Sequence, residues 1–182
     1  MIRPATPDDL AAIQAVINDA AQAYRGVIPA DRWSEPYMSW DELKTQVAEG
    51  VQFTCWTEAD PSGADQSGAD QSEDDQIIGV MGIQDRGEVA LIRHAYVSTR
   101  RRGGGVGTQL LHALTTTTSK PILIGTWAAA EWAVRFYQKH GFSLVPDDEK
   151  TALLGKFWNI PARQVETSVV LADRRYSSDL AR

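Results

Sequence analysis

Leu10, Ile13, Val16, Ile17 and Ala20 return every three or four residues, the spacing that lines one face of an α-helix. Just upstream, Thr6-Pro7-Asp8-Asp9 reads as the start of that helix. Thr6 caps, Pro7 suits the first helical position, and Asp9 completes an approximate capping box. Residues 1–5 predict a short strand before it. Between residues 24 and 37 the periodicity breaks, because Gly26, Pro29 and Pro36 interrupt any long helix. Ser39 then caps a short second helix through residue 48. Residues 51–57 (VQFTCWT) alternate with aromatic and β-branched side chains and predict a strand. Residues 76–84 and 88–98 predict an antiparallel pair turning at Asp85-Arg86-Gly87. A helix follows to about Thr118, then a buried strand over 121–126 and a helix over 128–140 stopped by Gly141 in a C-cap position. Residues 165–172 (VETSVVLA) alternate as a last strand, and 174–182 are left as an exposed tail. Strands first and a strand–loop–helix unit after them predict an α/β fold, with a mixed, largely antiparallel central sheet flanked by helices.

One stretch cannot join that core. Ser62-Gly63-Ala64-Asp65-Gln66 is repeated as Ser67-Gly68-Ala69-Asp70-Gln71, and Ser72-Glu73-Asp74-Asp75-Gln76 follows in the same frame. The repeat is small, acidic and polar, too poor in apolar surface to fold by itself. Strands are predicted on both sides of it. Residues 59–76 therefore read as a flexible acidic hairpin insertion within a single domain over 1–173, not as a boundary.

Composition narrows the function. A chain of 182 residues is long enough to bury a core without staples. One cysteine, Cys55, excludes an internal disulfide framework and suits a reducing cytoplasm. The first residues lack the apolar core of a signal peptide, and no apolar run of about 18 residues is present to span a membrane. A formal net charge of −6 argues against a general nucleic-acid binder. Three scattered histidines and one cysteine give no metal-ligand spacing. Oligomeric state stays open, a homodimer included.

The densest chemical signal is Arg102-Gly103-Gly104-Gly105-Val106-Gly107, entered from an apolar strand and followed by Leu110, Leu111 and Leu114 at helical spacing. Glycines admit positive φ and close approach of a ligand, and a helix start offers unpaired N–H groups to an anion. Arg100 and Arg101 add positive charge beside it. A Walker A loop would need a Gly-Lys pair, and no lysine lies between Gly103 and His112. A dinucleotide fingerprint starting at Gly103 would place its third glycine at Thr108. The spacing of Arg102, Gly105 and Gly107 resembles instead the acetyl-CoA pyrophosphate loop of the GCN5-related N-acetyltransferase (GNAT) superfamily. Ala95-Tyr96-Val97 resembles the end of that family's fourth strand. Residues 133–142 (AVRFYQKHGF) resemble its helix ending A-x-x-F-Y-x-x-x-G-F.

The resemblance covers most of the chain, weakly over 1–85 and strongly over 89–145. It implies a sheet splayed after the fourth strand, with acetyl-CoA entering the gap from one side and an acceptor amine, small molecule or peptide, from the other. It implies cofactor contacts from Ala95, Tyr96, Val97, from Arg102 through Thr108, and from Phe136 and Tyr137. Within that scheme the Val97 N–H would hold the thioester oxygen and Tyr137 would protonate the departing thiolate. Two positions depart from the family pattern. Ala130 stands where many members carry Asn, and Leu91 where some carry a glutamate base. His94 and Glu88 are the alternative bases, His94 for its intrinsic pKa. Tyr24, Trp33, Tyr37, Trp40 and Trp158 are candidates for the acceptor wall. Cys55, in a core strand, reads as inert and not as an acyl-enzyme nucleophile. The competing readings are a CoA-binding sensor without catalysis and a binder of a different nucleotide.

Overall fold

The first helix begins where its capping residues predict. The Thr6 N–H and hydroxyl both donate to the Asp9 carboxylate, at 2.7 and 2.9 Å, and Arg3 clasps the same carboxylate at 2.7 and 2.8 Å. After one 3-10 turn, α1 runs Leu10–Ala21 and buries Ile13, Val16, Ile17 and Ala20. The computed structural model describes residues 1–59 and 76–181, so the expected insertion lies, but for its end residues, outside the described residues. In it, β1 (Ile2–Pro4), α1 and α2 (Trp40–Ala48) precede β2 (Val51–Glu58), β3 (Gln76–Asp85) and β4 (Ala90–Val97). Then come α3 (Val106–Thr115), β5 (Ile122–Trp127), α4 (Glu131–Lys139), β6 (Ser143–Leu144), α5 (Asp147–Phe157), α6 (Ala162–Thr167) and β7 (Ser168–Ala172). Ser39 caps α2 through its Oγ, which accepts the Glu42 N–H at 3.2 Å.

The seven strands form one sheet in the order β1-β2-β3-β4-β5-β7-β6, and only β4 and β5 run parallel. Alternation sends Ala90 and Ile92 of β4, with Ile122 and Ile124 of β5, to the face covered by α3 and α4. Leu91 and Leu123 point the other way, against Leu153, Leu154 and Phe157 of α5. That second face also packs Ile13 and Ile17 of α1 and Leu43 of α2 on Phe53, Cys55 and Val80. Each such side chain contributes on the order of 1.5–3 kcal/mol by leaving water. Gly79 sets how close α3 comes: a Cβ there would stand 2.5 Å from Val106 Cγ1. No helix of the described residues is long and apolar enough to cross a membrane.

The sheet parts in its middle. β4 and β5 pair only at Ala90–Ile122, Leu91–Leu123 and Ile92–Ile124. Beyond Ile92, β4 carries a bulge. Gly82 faces Arg93 and Val80 faces Tyr96, so His94 and Ala95 share the place opposite Met81. His94 takes φ +51°, a left-handed conformation uncommon for a residue with a Cβ. Such a bulge bends its strand and re-aims the side chains after it. Here it turns Ala95, Tyr96 and Val97 into the gap.

Three expectations need correction. The last strand begins at Ser168, not at 165, because its partner β5 ends at Trp127, opposite Ser168. Residues 162–167 turn into α6 after Pro161, and the Thr167 hydroxyl donates back to the Arg163 carbonyl at 2.9 Å. A helix the periodicity does not predict, α5, occupies 147–157. Its acidic first turn suits a helix N-terminus, while Gly155 weakens its interior pattern. The tail does not stand free in solvent. The Tyr176 hydroxyl donates to Glu149 at 2.5 Å, Lys156 donates to the Leu180 carbonyl at 3.3 Å, and Leu180 joins the core under α5.

Candidate functional site

The glycine loop is held from below by α1. The Asp19 carboxylate accepts three hydrogen bonds, from Ser98 Oγ (3.0 Å), the Thr99 N–H (2.7 Å) and Thr99 Oγ1 (2.8 Å). Burial alone would raise this carboxyl, but the Thr99 and Ser98 hydrogen bonds outweigh it and hold Asp19 below the usual carboxylate range. Arg102 donates to the Ala20 carbonyl at 3.0 Å, and Arg101 pairs with Glu58 at 2.8 Å. The turn enters α3 through Gly103 (φ +82°) and Gly105 (φ +78°). At neither would a Cβ meet an atom within 4 Å, so the backbone there borders open space. The first intrahelical bond is Gln109 N–H to the Gly105 carbonyl. The N–H groups of Val106, Gly107 and Thr108 thus have no partner in their own helix.

The end of α4 closes over that start. His140 Nδ1 lies 2.7 Å from the Phe136 carbonyl, which can only accept, so Nδ1 carries a proton. In the neutral ring Nε2 then accepts from Thr108 Oγ1 at 3.0 Å. Phe136 covers Gly107, whose missing Cβ would stand 3.5 Å from the ring. Tyr137, one residue on, is buried edge-on against Phe136 and Phe142. Burial, with Tyr24 nearby adding to it, raises its phenol well above the usual value, so it keeps its proton through neutral pH.

Loop, β4 end and Tyr137 all line one cavity of about 990 Å³ that passes through the splay between β4 and β5. On the far side of the sheet its walls are Tyr24, Tyr37, Trp127 and Trp158. Tyr24 and Tyr37 stack at 5.7 Å, Tyr24 meets Trp132 of α4 at 5.5 Å, and Trp127 Nε1–H donates to the Tyr37 hydroxyl at 3.1 Å. Burial pushes the Tyr24 phenol up to about 12, Tyr37 adding to it, so this wall is uncharged at neutral pH.

Ala95, Tyr96, Val97, Arg102, Gly103, Gly105, Val106, Gly107, Thr108, Phe136 and Tyr137 are brought together on this cavity, as are Tyr24, Tyr37 and Trp158. Gly104 lies within the same turn, beside the Arg101 carbonyl. Others fall elsewhere. Glu88 is in the turn at the opposite end of β4, exposed and paired with Lys156 at 3.0 Å, so it is out of reach as a base. His94 does reach the cavity wall, but Gln46 Oε1 lies 3.1 Å from its Nε2, and burial, then Arg93, pushes the ring down to about 3. A ring so depressed takes no proton from an acceptor near neutral pH. Trp33 packs against Tyr37 one layer behind the wall, and Trp40 is exposed on the first turn of α2. Cys55 is fully buried, and burial raises its thiol to about 11. Ala130 is buried against Ile28 and Trp127 at the start of α4. Asp19, Gly79 and Trp132 went unrecognised in the sequence, since their roles arise from segments distant along the chain. Among the described residues no cluster of three or more His, Cys, Asp or Glu could hold a metal ion.

The family model described as Acetyltransferase (GNAT) domain matches residues 69–144, the stretch that holds β3, β4, the glycine loop and α4. No curated protein matches the sequence. Solved structures share the fold at low identity. An acetyltransferase of GNAT family from Staphylococcus aureus Mu50 superposes with TM-score 0.63 at 14% identity, covering 97% of this chain and 99% of that one. The PaiA N-acetyltransferase from Thermoplasma acidophilum, in complex with coenzyme A, gives 0.59 at 13%, covering 95% and 97%. N-acetylglutamate synthase from Neisseria gonorrhoeae, complexed with coenzyme A and N-acetyl-glutamate, gives 0.60 at 16%, over 97% of this chain but 35% of that one. Residues 69–144, which carry the glycine loop and α4, thus match a GNAT acetyltransferase domain, and the splayed mixed sheet of the whole chain is the fold that GNAT acetyltransferases share.

Proposed function

We propose that this protein transfers an acetyl group from acetyl-CoA to a primary amine by direct attack, with both substrates together in the cleft. The observation that carries the reading is one cavity joining the glycine loop, Val97 and Tyr137 to an opening on the opposite face of the sheet. The loop fits a pyrophosphate. Gly103 and Gly105 border open space at positive φ, three N–H groups of the first turn of α3 lack intrahelical partners, and Arg101, Arg102 and Lys139 line the same region. Fold neighbours in complex with coenzyme A support that cofactor. Bound there, acetyl-CoA supplies a thioester carbon and a thiolate leaving group.

Each remaining task falls to a residue of this chain. Ala95 and Tyr96 flank the cofactor's pantetheine arm where the bulge has bent β4 from β5. The Val97 N–H donates to the thioester oxygen and is worth more as negative charge builds there. The amine nitrogen bonds to the carbonyl carbon and gives its proton to solvent, the carbon–sulfur bond breaks, and Tyr137 gives its phenolic proton to the sulfur and regains one from solvent. Its elevated pKa keeps that proton in place until the thiolate departs.

The test is CoA release from acetyl-CoA across a panel of amines, with acetylated product identified by mass. Tyr137→Phe, which keeps the ring, is expected to lower kcat by about 100-fold with the acetyl-CoA KM nearly unchanged. Tight acetyl-CoA binding without CoA release from any amine would make the protein a binding module instead.

A further inference from the structure

The half of the cavity away from the glycine loop is walled by rings. Tyr24 stacks on Tyr37, and Trp158 lies flat over Gly125 of β5, where a Cβ would stand 3.2 Å from the indole. Trp132 is 42% exposed at the start of α4, yet it lines the cavity and meets Tyr24. An indole left in water at the mouth of a cleft offers an apolar contact that folding has not used. The polar groups on this side are neutral: Thr126, Gln164 and Ser168.

Charge selects further. Among the described residues no Asp or Glu lines the cavity, and its fixed charges are Arg93, Arg101, Arg102 and Lys139. A second ammonium on the acceptor would meet only like charge among these described residues. Arg93 gives one donor to Gln84, at 2.9 Å, and one to Gln46, at 2.7 Å, and Arg101 is paired with Glu58. Flat aromatic walls instead favour offset or edge contacts with another ring.

We infer that the acceptor is a primary monoamine on a flat apolar body, an arylalkylamine in chemical class, lodged between Tyr24, Trp132 and Trp158. This rests on the acyl-transfer reading above. The amine presents its nitrogen to the thioester through the splay while its ring stays among the aromatic walls. With no carboxylate of the described residues beside it, the nitrogen reacts as the free base.

The experiment compares 2-phenylethylamine and tryptamine with spermidine and L-glutamate, by kcat/KM for CoA release and by calorimetric binding to the protein saturated with CoA. The two arylalkylamines should exceed the others in kcat/KM by about 100-fold, and only they should bind measurably. Spermidine or L-glutamate matching them would overturn the inference while leaving acyl transfer intact. Selective arylalkylamine binding with no CoA release from any amine would do the reverse. Trp132→Ala, at an exposed position that the fold tolerates, should raise the KM for 2-phenylethylamine about tenfold and that for acetyl-CoA far less. An unchanged amine KM in that variant would also overturn the inference. The free-base requirement adds a further check. With 2-phenylethylamine, kcat/KM should rise with pH until the amine's own pKa is passed, and a plateau below that point would reveal a protein base.

Discussion

Replacing Asp19 tests whether the glycine loop is held ready before any ligand arrives. The carboxylate takes three hydrogen bonds from Ser98 and Thr99, all to groups that lead straight into the loop. Hydrogen bonds to a charged partner contribute about 1.5–3 kcal/mol each when shielded, and less at a partly exposed site such as this one. Asp19→Ala removes all three together, and a loss of about 2–3 kcal/mol in unfolding free energy is expected. Asp19→Asn keeps one acceptor oxygen and loses the charge, for about half of that. The functional effect is separate from the global one. A loop that must be ordered on binding lowers cofactor affinity by the cost of ordering it, here about 10- to 30-fold in the acetyl-CoA Kd for the alanine variant. Urea titration gives the first quantity and calorimetry with acetyl-CoA the second. An Asp19→Ala protein that loses stability yet binds acetyl-CoA as tightly as the parent would refute the reasoning, since Asp19 would then serve the fold and not the loop.

Other perturbations reach the scaffold. Gly79→Ala forces a Cβ to 2.5 Å from the β-branched Val106, and about 1–3 kcal/mol should be lost in urea unfolding as α3 is pushed from β3. Asp9 is held far below the usual carboxylate range, first by its hydrogen bond to Arg3 and then, against a burial penalty, by its bonds with Thr6. Its folded pKa lies below its unfolded one, so its contribution is complete above the unfolded value of about 3.9 and fades as pH falls below it. Asp9→Asn should therefore cost about 1–2 kcal/mol at pH 7, and by thermal unfolding across pH that cost should shrink steadily as pH falls below about 3.9, with part of it still present near pH 2. The Cys55 thiol, buried and raised to about 11, should react with a thiol reagent only at the rate of unfolding; prompt labelling of the native protein would contradict the burial.

What could be read from the chain depended on how local each signal was. The glycine loop, the α4 motif and the caps at Thr6 and Ser39 are written in consecutive residues, and the structure has them where their spacing puts them. Val165-Glu166-Thr167 alternates as a strand would, but strand geometry needs a partner edge, and β5 stops short of it. Helix α5 hides behind a weak apolar face with Gly155 inside it. The wall built from Tyr24, Trp132 and Trp158 joins the turn after α1, the start of α4 and the residue after α5, and nothing in any one segment announces the others. His94 offered a plausible titration range, yet burial beside Arg93 removed it, a fact of packing that no spacing carries.

The three residue pairs that join β4 to β5 divide the sheet into a block of four strands and a block of three. Leu91 and Leu123 on one face, with Ile92 and Ile124 on the other, form the seam between these blocks. Side-chain volume at that seam sets the angle at which the blocks meet, and so the width of the opening beyond it. Selection can therefore retune what this scaffold admits through buried aliphatic exchanges at Leu91 and Leu123, which do not line the cavity.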